Sequence, residues 1–177
     1  MKYRYAACMF MAAFLLQTTL ANVFSVFGAT PNLLLCLVAV FSFLYDGDNY
    51  GIVFGVAFGL LYDACFSEYT GIAALAFLGI SLSIMLVKVV MNREAIISVM
   101  IVSAAATVAY ALIYWGIMAM LGSSYSFFYA MRKLPLYVLY NTAVVAILYR
   151  LMIRRVVKHH YDKHFNGVMQ YIGRGRL

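Results

Sequence analysis

The chain has 177 residues, of which 66% are hydrophobic and 11% charged. A soluble domain is nearer half apolar and a quarter charged, so composition excludes a water-soluble domain and points to an all-α integral membrane protein with room for five or six spans of about 20 residues. The formal charge of +7, from 13 Lys and Arg against six Asp and Glu, reads as membrane topology rather than nucleic-acid binding, because positive charge collects in cytoplasmic loops.

Lys2 and Arg4 precede an apolar run reaching Gly28. That run is longer than a signal-peptide core and has no clear A-x-A cleavage site, so it is read as a retained first span over about 5–28. Gln17 and Asn22 interrupt it and are expected to face the bundle. Pro31 opens a second span over 31–45, since proline is well placed at a helix start. Residues 46–49 form a tight turn, rich in Asp, Gly and Asn, that leads to a third span over 50–66. Both spans sit at the short end of spanning length, as a hairpin that thins the bilayer or is shielded by its neighbours. A short loop carries Glu68, and a fourth span follows over 71–91. Residues 92–94 turn the chain into a long fifth span over 95–121, with Tyr110, Tyr114 and Trp115 towards its far end. After a loop at 122–126 and an interfacial aromatic stretch ending in Arg132 and Lys133, Pro135 lies at the start of a sixth span over 134–153. The chain thus divides into a transmembrane bundle, 1–153, and a basic tail, 154–177.

With six spans and both termini inside, all of the 13 Lys and Arg except Arg132 and Lys133 fall on the cytoplasmic side, the bias expected of N-in, C-in topology. The tail then meets anionic lipid or a cytoplasmic partner. His160 and His164 stand four apart, but no further ligand completes a metal site. Cys8, Cys36 and Cys65 lie in apolar stretches with no CxxC, and read as small buried hydrophobes.

Gly51, Gly55, Gly59 and Asp63 recur every four residues, one stripe on a helix. Glycines so spaced let another helix approach closely. The neighbour is either another span of this chain or the transmembrane helix of a partner. An acid in an apolar span needs a partner of its own. Folding spans two and three about the turn at 46–49 brings Asn32 level with Asp63, so its amide is the expected hydrogen-bond partner; a proton or cation site is the alternative. The same folding offsets Cys36 from Cys65 by about six residues, roughly 9 Å of helix rise, which argues against a disulfide. Signatures such as HExxH, GxSxG and the P-loop are missing from the sequence, and an intramembrane enzyme built on Asp63 would lack a second acid.

Pro31, Asn32 and the leucines after them, then Gly55, Gly59, Leu60, Leu61 and Asp63, then Gly71 with Ala74 and Leu75, resemble the motifs of the rod shape-determining MreD family. Asn32 stands where that family usually has Asp, which keeps a hydrogen-bonding group and drops a charge. The resemblance covers about residues 31–75; elsewhere the match is in hydropathy. It implies a six-helix bundle similar to the substrate-binding subunits of energy-coupling-factor transporters. It also implies a non-enzymatic scaffold of the bacterial elongation complex in the cytoplasmic (inner) membrane, multi-pass and without cofactor or metal, supporting side-wall peptidoglycan synthesis and cell shape. The implied partners are MreC, a single-span protein, and also MreB, RodA and a class B penicillin-binding protein. Its motif positions here are Pro31, Asn32, Gly55, Gly59, Asp63 and Gly71, with Gly51 extending the stripe. The competing expectation is a small-solute, vitamin-like binding subunit of a transporter, with Asn32, Asp63, Ser67 and Glu68 lining a pocket. Against it, the first span lacks the Ala-x3-Ala motif by which such subunits dock.

Overall fold

A computed structural model of the chain describes residues 3–20, 29–45, 49–91, 95–122 and 126–152. These form α1 (Tyr3–Leu20), α2 (Leu33–Leu44), α3 (Tyr50–Phe66), α4 (Ile72–Val87), α5 (Ile96–Met120), α6 (Phe127–Met131) and α7 (Leu134–Met152). The fold is all-helical, with no β-strand among the described residues. The second half of the first span, with Asn22, lies outside the described residues, as do the turns at 46–48 and 92–94, most of the loop at 122–126, and the basic tail with its histidines.

The bundle is built around α2. Eleven of its 12 residues are buried, Leu34 to Leu44. Val38, Val40, Phe41 and Phe43 are inaccessible to solvent. An amphipathic surface helix would bury one stripe; a helix apolar all round is a core element. α1, α3, α4 and α5 pack around it, and Val145, Tyr149 and Met152 of α7 join the same core.

α1 is held to α2 and α3 by rings. Phe10 lies 5.5 Å from Phe41, 5.6 Å from Phe54 and 5.7 Å from Phe58, and Phe14 reaches Phe58 and Phe66. Tilted and offset pairs at these spacings add to the area they bury.

The outer surface is the apolar one. Leu75, Leu86, Ile97, Leu139, Ile147 and Leu151 are exposed, whereas Gln17, Asp63, Lys88, Ser103, Thr107 and Asn141 are buried. That inversion suits a hydrocarbon solvent, in which polar groups turn inward to find one another. α5 and α7 are each long and apolar enough to cross a membrane. At 12 residues, α2 is about 18 Å long against a hydrocarbon thickness of about 30 Å. Its ends therefore fall short of both surfaces, and their unpaired backbone groups must be met by protein. The fourth helix stops at Val87 rather than continuing to 91, and its C-cap, Lys88, turns its side chain inward to one of those ends.

Candidate functional site

Polar side chains gather at two places, the start of α2 and α4 at one end of the bundle and the finish of α2 at the other. At the first, the free amides at the start of α2 are taken by its own N-cap and by two other helices. Asn32, the N-cap, accepts from Leu35 N at 2.9 Å, Gln17 of α1 accepts from Leu34 N at 3.1 Å, and Asn141 of α7 accepts from Asn32 N at 2.8 Å. Pro31 stands just outside this cap and has no N–H that would need a partner. Asn141 donates in turn to Thr107 Oγ1 at 3.1 Å, and its carbonyl faces the Cys36 thiol. One buried amide thereby ties α7 to α2 and α5.

α4 begins beside it. Its N-cap is Gly71, at φ 106°, a left-handed conformation that glycine adopts without steric cost. Glycine offers no side-chain acceptor, so the cap comes from another helix. Asp63 Oδ2 accepts from Gly71 N at 3.0 Å and from Ala73 N at 2.7 Å, while Oδ1 accepts from Ser67 Oγ at 3.2 Å. A carboxylate at the positive end of a helix dipole is stabilised there. The residue is wholly buried.

The glycine stripe brings Asp63 to that position. A Cβ on Gly59 would lie 2.9 Å from Ala74 Cα, one on Gly55 would lie 2.8 Å from Val38 Cγ2 and 3.6 Å from Phe77 Cβ, and one on Gly51 would run into the Ser42 hydroxyl. α3 therefore lies backbone-close to α2 along one flank and to α4 along the other. Gly51, Gly55 and Gly59 are all buried by helices of the chain itself.

The expected pairing of Asn32 with Asp63 does not form. The two share an end of the bundle, where Tyr110, its ring stacked on Phe77, meets the Asn32 side chain. But each is spent on a helix N-terminus: fixed backbone amides with no other acceptor take the carboxylate, and the Asn32 oxygen closes its own cap. Cys8, Cys36 and Cys65 are free thiols, but only Cys36 is the small buried hydrophobe expected of all three: Cys8 and Cys65 are exposed, on the faces of α1 and α3 turned away from the core.

At the opposite end, Lys88 donates to the carbonyls of Ser42 at 3.1 Å and Tyr45 at 3.0 Å. These are last-turn groups of α2, where positive charge complements the dipole. Topology counting treats Lys88 as one more cytoplasmic charge; a lysine ahead of its span's predicted end was the signal for an inward role. Asn141 and Thr107 carried a similar signal as polar residues inside apolar spans. Among the described residues no group of three or more His, Cys, Asp or Glu could hold a metal ion.

The arrangement closes helix ends inside an apolar solvent and leaves the carboxylate, the amides and the ammonium engaged with backbone. The model of the family described as rod shape-determining protein MreD matches residues 2–158. No curated protein and no solved structure matches the chain.

Proposed function

The chain belongs to the MreD family, which acts in rod shape determination, and from that premise we propose that it is a non-enzymatic membrane scaffold of the bacterial elongation complex, spanning the inner membrane six times with both termini inside. The observation that carries this reading is the family match over 2–158, which takes in the whole bundle. The internal economy of the bundle agrees with it. Asp63, Asn32 and Lys88 are used on the chain's own helix ends, which supports a rigid body that holds a partner rather than one that turns over a substrate.

The partner is a single-span protein of the MreC kind, and through it MreB, RodA and a class B penicillin-binding protein. Because α2 and α4 already cover the stripe of Gly51, Gly55 and Gly59, the partner's helix seats on the lipid-facing side of the bundle. There association rests on close packing and a few hydrogen bonds rather than on a hydrophobic drive. The basic tail from 154 onward lies on the cytoplasmic face. A solute-binding subunit is the weaker reading, since Asn32 and Asp63 are engaged in caps and Ser67 is bonded to Asp63.

The test is co-purification. Expressed with the single-span partner and solubilised in mild detergent, the tagged chain retains that partner through size exclusion, and cells lacking the chain lose rod shape. A chain that releases the partner, yet gains thermal stability from a small solute, overturns the scaffold in favour of the transporter subunit.

A further inference from the structure

Two buried hydroxyls in the centre of the bundle are left without a partner: Ser42 Oγ on α2 and Ser81 Oγ on α4 have no hydrogen bond among the described residues. The residues are 5% and 0% exposed. The usual escape for serine or threonine in a helix is to donate to the carbonyl four residues back. Ser83 does so to Gly79, Thr107 to Ser103 and Thr19 to Leu15. Ser42 and Ser81 do not.

The helix register brings the two together. Gly55 of α3 faces both Val38 of α2 and Phe77 of α4. One turn further along each helix, Gly51 faces Ser42, and the same step carries Phe77 to Ser81. Ser42 Oγ thus lies against Gly51, where α3 has no side chain, and the register sets Ser81 of α4 at the same level. The neighbouring charge is the Lys88 ammonium, which is bound to the carbonyl of Ser42 itself. A buried hydroxyl without a partner is costly, and two at one level mark a place where a polar guest belongs.

We infer that this junction is a buried hydration site, in which one water molecule is held between Ser42 Oγ and Ser81 Oγ beside Gly51. Water supplies the two donors and two acceptors the hydroxyls need. A metal cation is disfavoured by Lys88, and no carboxylate lies on the facing residues among those described. The site makes the seam between α3 and the α2–α4 pair wet near its Lys88 end, while the Asp63 end is closed by direct bonds.

The experiment uses the full chain in lipid bilayers. Water-edited solid-state NMR on serine-labelled protein, assigned by difference with Ser42→Ala and Ser81→Ala, reads magnetisation passing from water to these two serines. The expected result is rapid transfer to both, lost at Ser81 in Ser42→Ala and at Ser42 in Ser81→Ala. Each single substitution also lowers the thermal midpoint, and the double variant falls no further than the worse single one. Transfer from lipid chains alone overturns the site. So does a non-additive midpoint without water transfer, which signals a direct bond between the hydroxyls. Additive losses overturn it as well, since they place the two serines in separate environments.

Discussion

The carboxylate of Asp63 lies 3.0 Å from the backbone nitrogen of Gly71, so the last buried residue of α3 closes the first turn of α4. The two residues need each other. Gly71 supplies the left-handed bend at φ 106° but has no side chain to cap the helix it starts, and Asp63 supplies the missing acceptor from eight residues earlier.

Asp63→Asn and Asp63→Ala are expected to separate sharply. Asn keeps one oxygen for the Gly71 and Ala73 amides and can donate to Ser67, so it loses only the charge–dipole part, about 0.3–1 kcal/mol. Ala leaves two buried amides without an acceptor, at about 1–3 kcal/mol. Thermal unfolding in detergent ranks them. If Asp63 instead served chemistry or ion binding, Asp63→Asn would abolish cell-shape rescue while leaving the thermal midpoint in place.

Gly71→Ala has space, since nothing lies within 4 Å of the added Cβ. Its cost is conformational alone, about 1–2 kcal/mol for a left-handed alanine. Gly71→Asn, which tolerates that region better, should recover part of the loss in the same melt.

The stripe predicts an order and a rescue. At Gly59 the added methyl meets the Ala74 backbone, which cannot step aside; at Gly55 it meets the end of the Val38 side chain. Gly59→Ala should therefore lower the melting temperature more than Gly55→Ala, each by an overpacking cost of about 1–3 kcal/mol. Val38→Ala should restore part of the Gly55→Ala loss and none of the Gly59→Ala loss. Equal losses with no rescue would refute the packing geometry.

Lys88→Met keeps the stem and removes the two bonds to the end of α2. A loss of about 1.5–3 kcal/mol is expected, the range for a hydrogen bond to a charged group. Lys88→Arg should lose less. If Lys88 acted only as a topology charge, Arg would be neutral and Met would alter orientation rather than stability. Impermeant maleimide on single-cysteine variants reads that orientation: Glu68→Cys should label in intact cells and Asn92→Cys only after lysis.

Much of the architecture is legible along the chain. Apolar runs broken by Pro31, by Gly71 and by the short polar turns locate the helices, because a bilayer demands long apolar segments whose backbone is paired internally. α3 falls on 50–66 as read. The motif residues Asn32, Asp63 and Gly71 also stand out in one dimension, since amides and acids are rare in such runs and glycine has few reasons to be there. Their partners were not legible. Depth counting along a hairpin sets Asn32 beside Asp63, but depth says nothing of the direction in which a side chain points, and each residue turns to a helix end.

What the sequence determined by itself is the solvent and the family: the composition requires lipid, and the Gly, Asp and Asn positions of 31–75 carry the MreD motifs. What only the tertiary structure decided is which helix is central and what the polar residues are for. α2 is apolar all round and more so than α1 or α3, but in a lipid solvent that pattern suits a lipid-facing span as well as a core helix, so it does not by itself mark the helix enclosed on all sides. Its shortness leaves backbone donors and acceptors stranded in the bundle, and Gln17, Asn141 and Lys88 are drawn inward from three other helices to meet them. A hydrogen bond between residues as many as 109 positions apart is set by how helices stack, which no local pattern encodes.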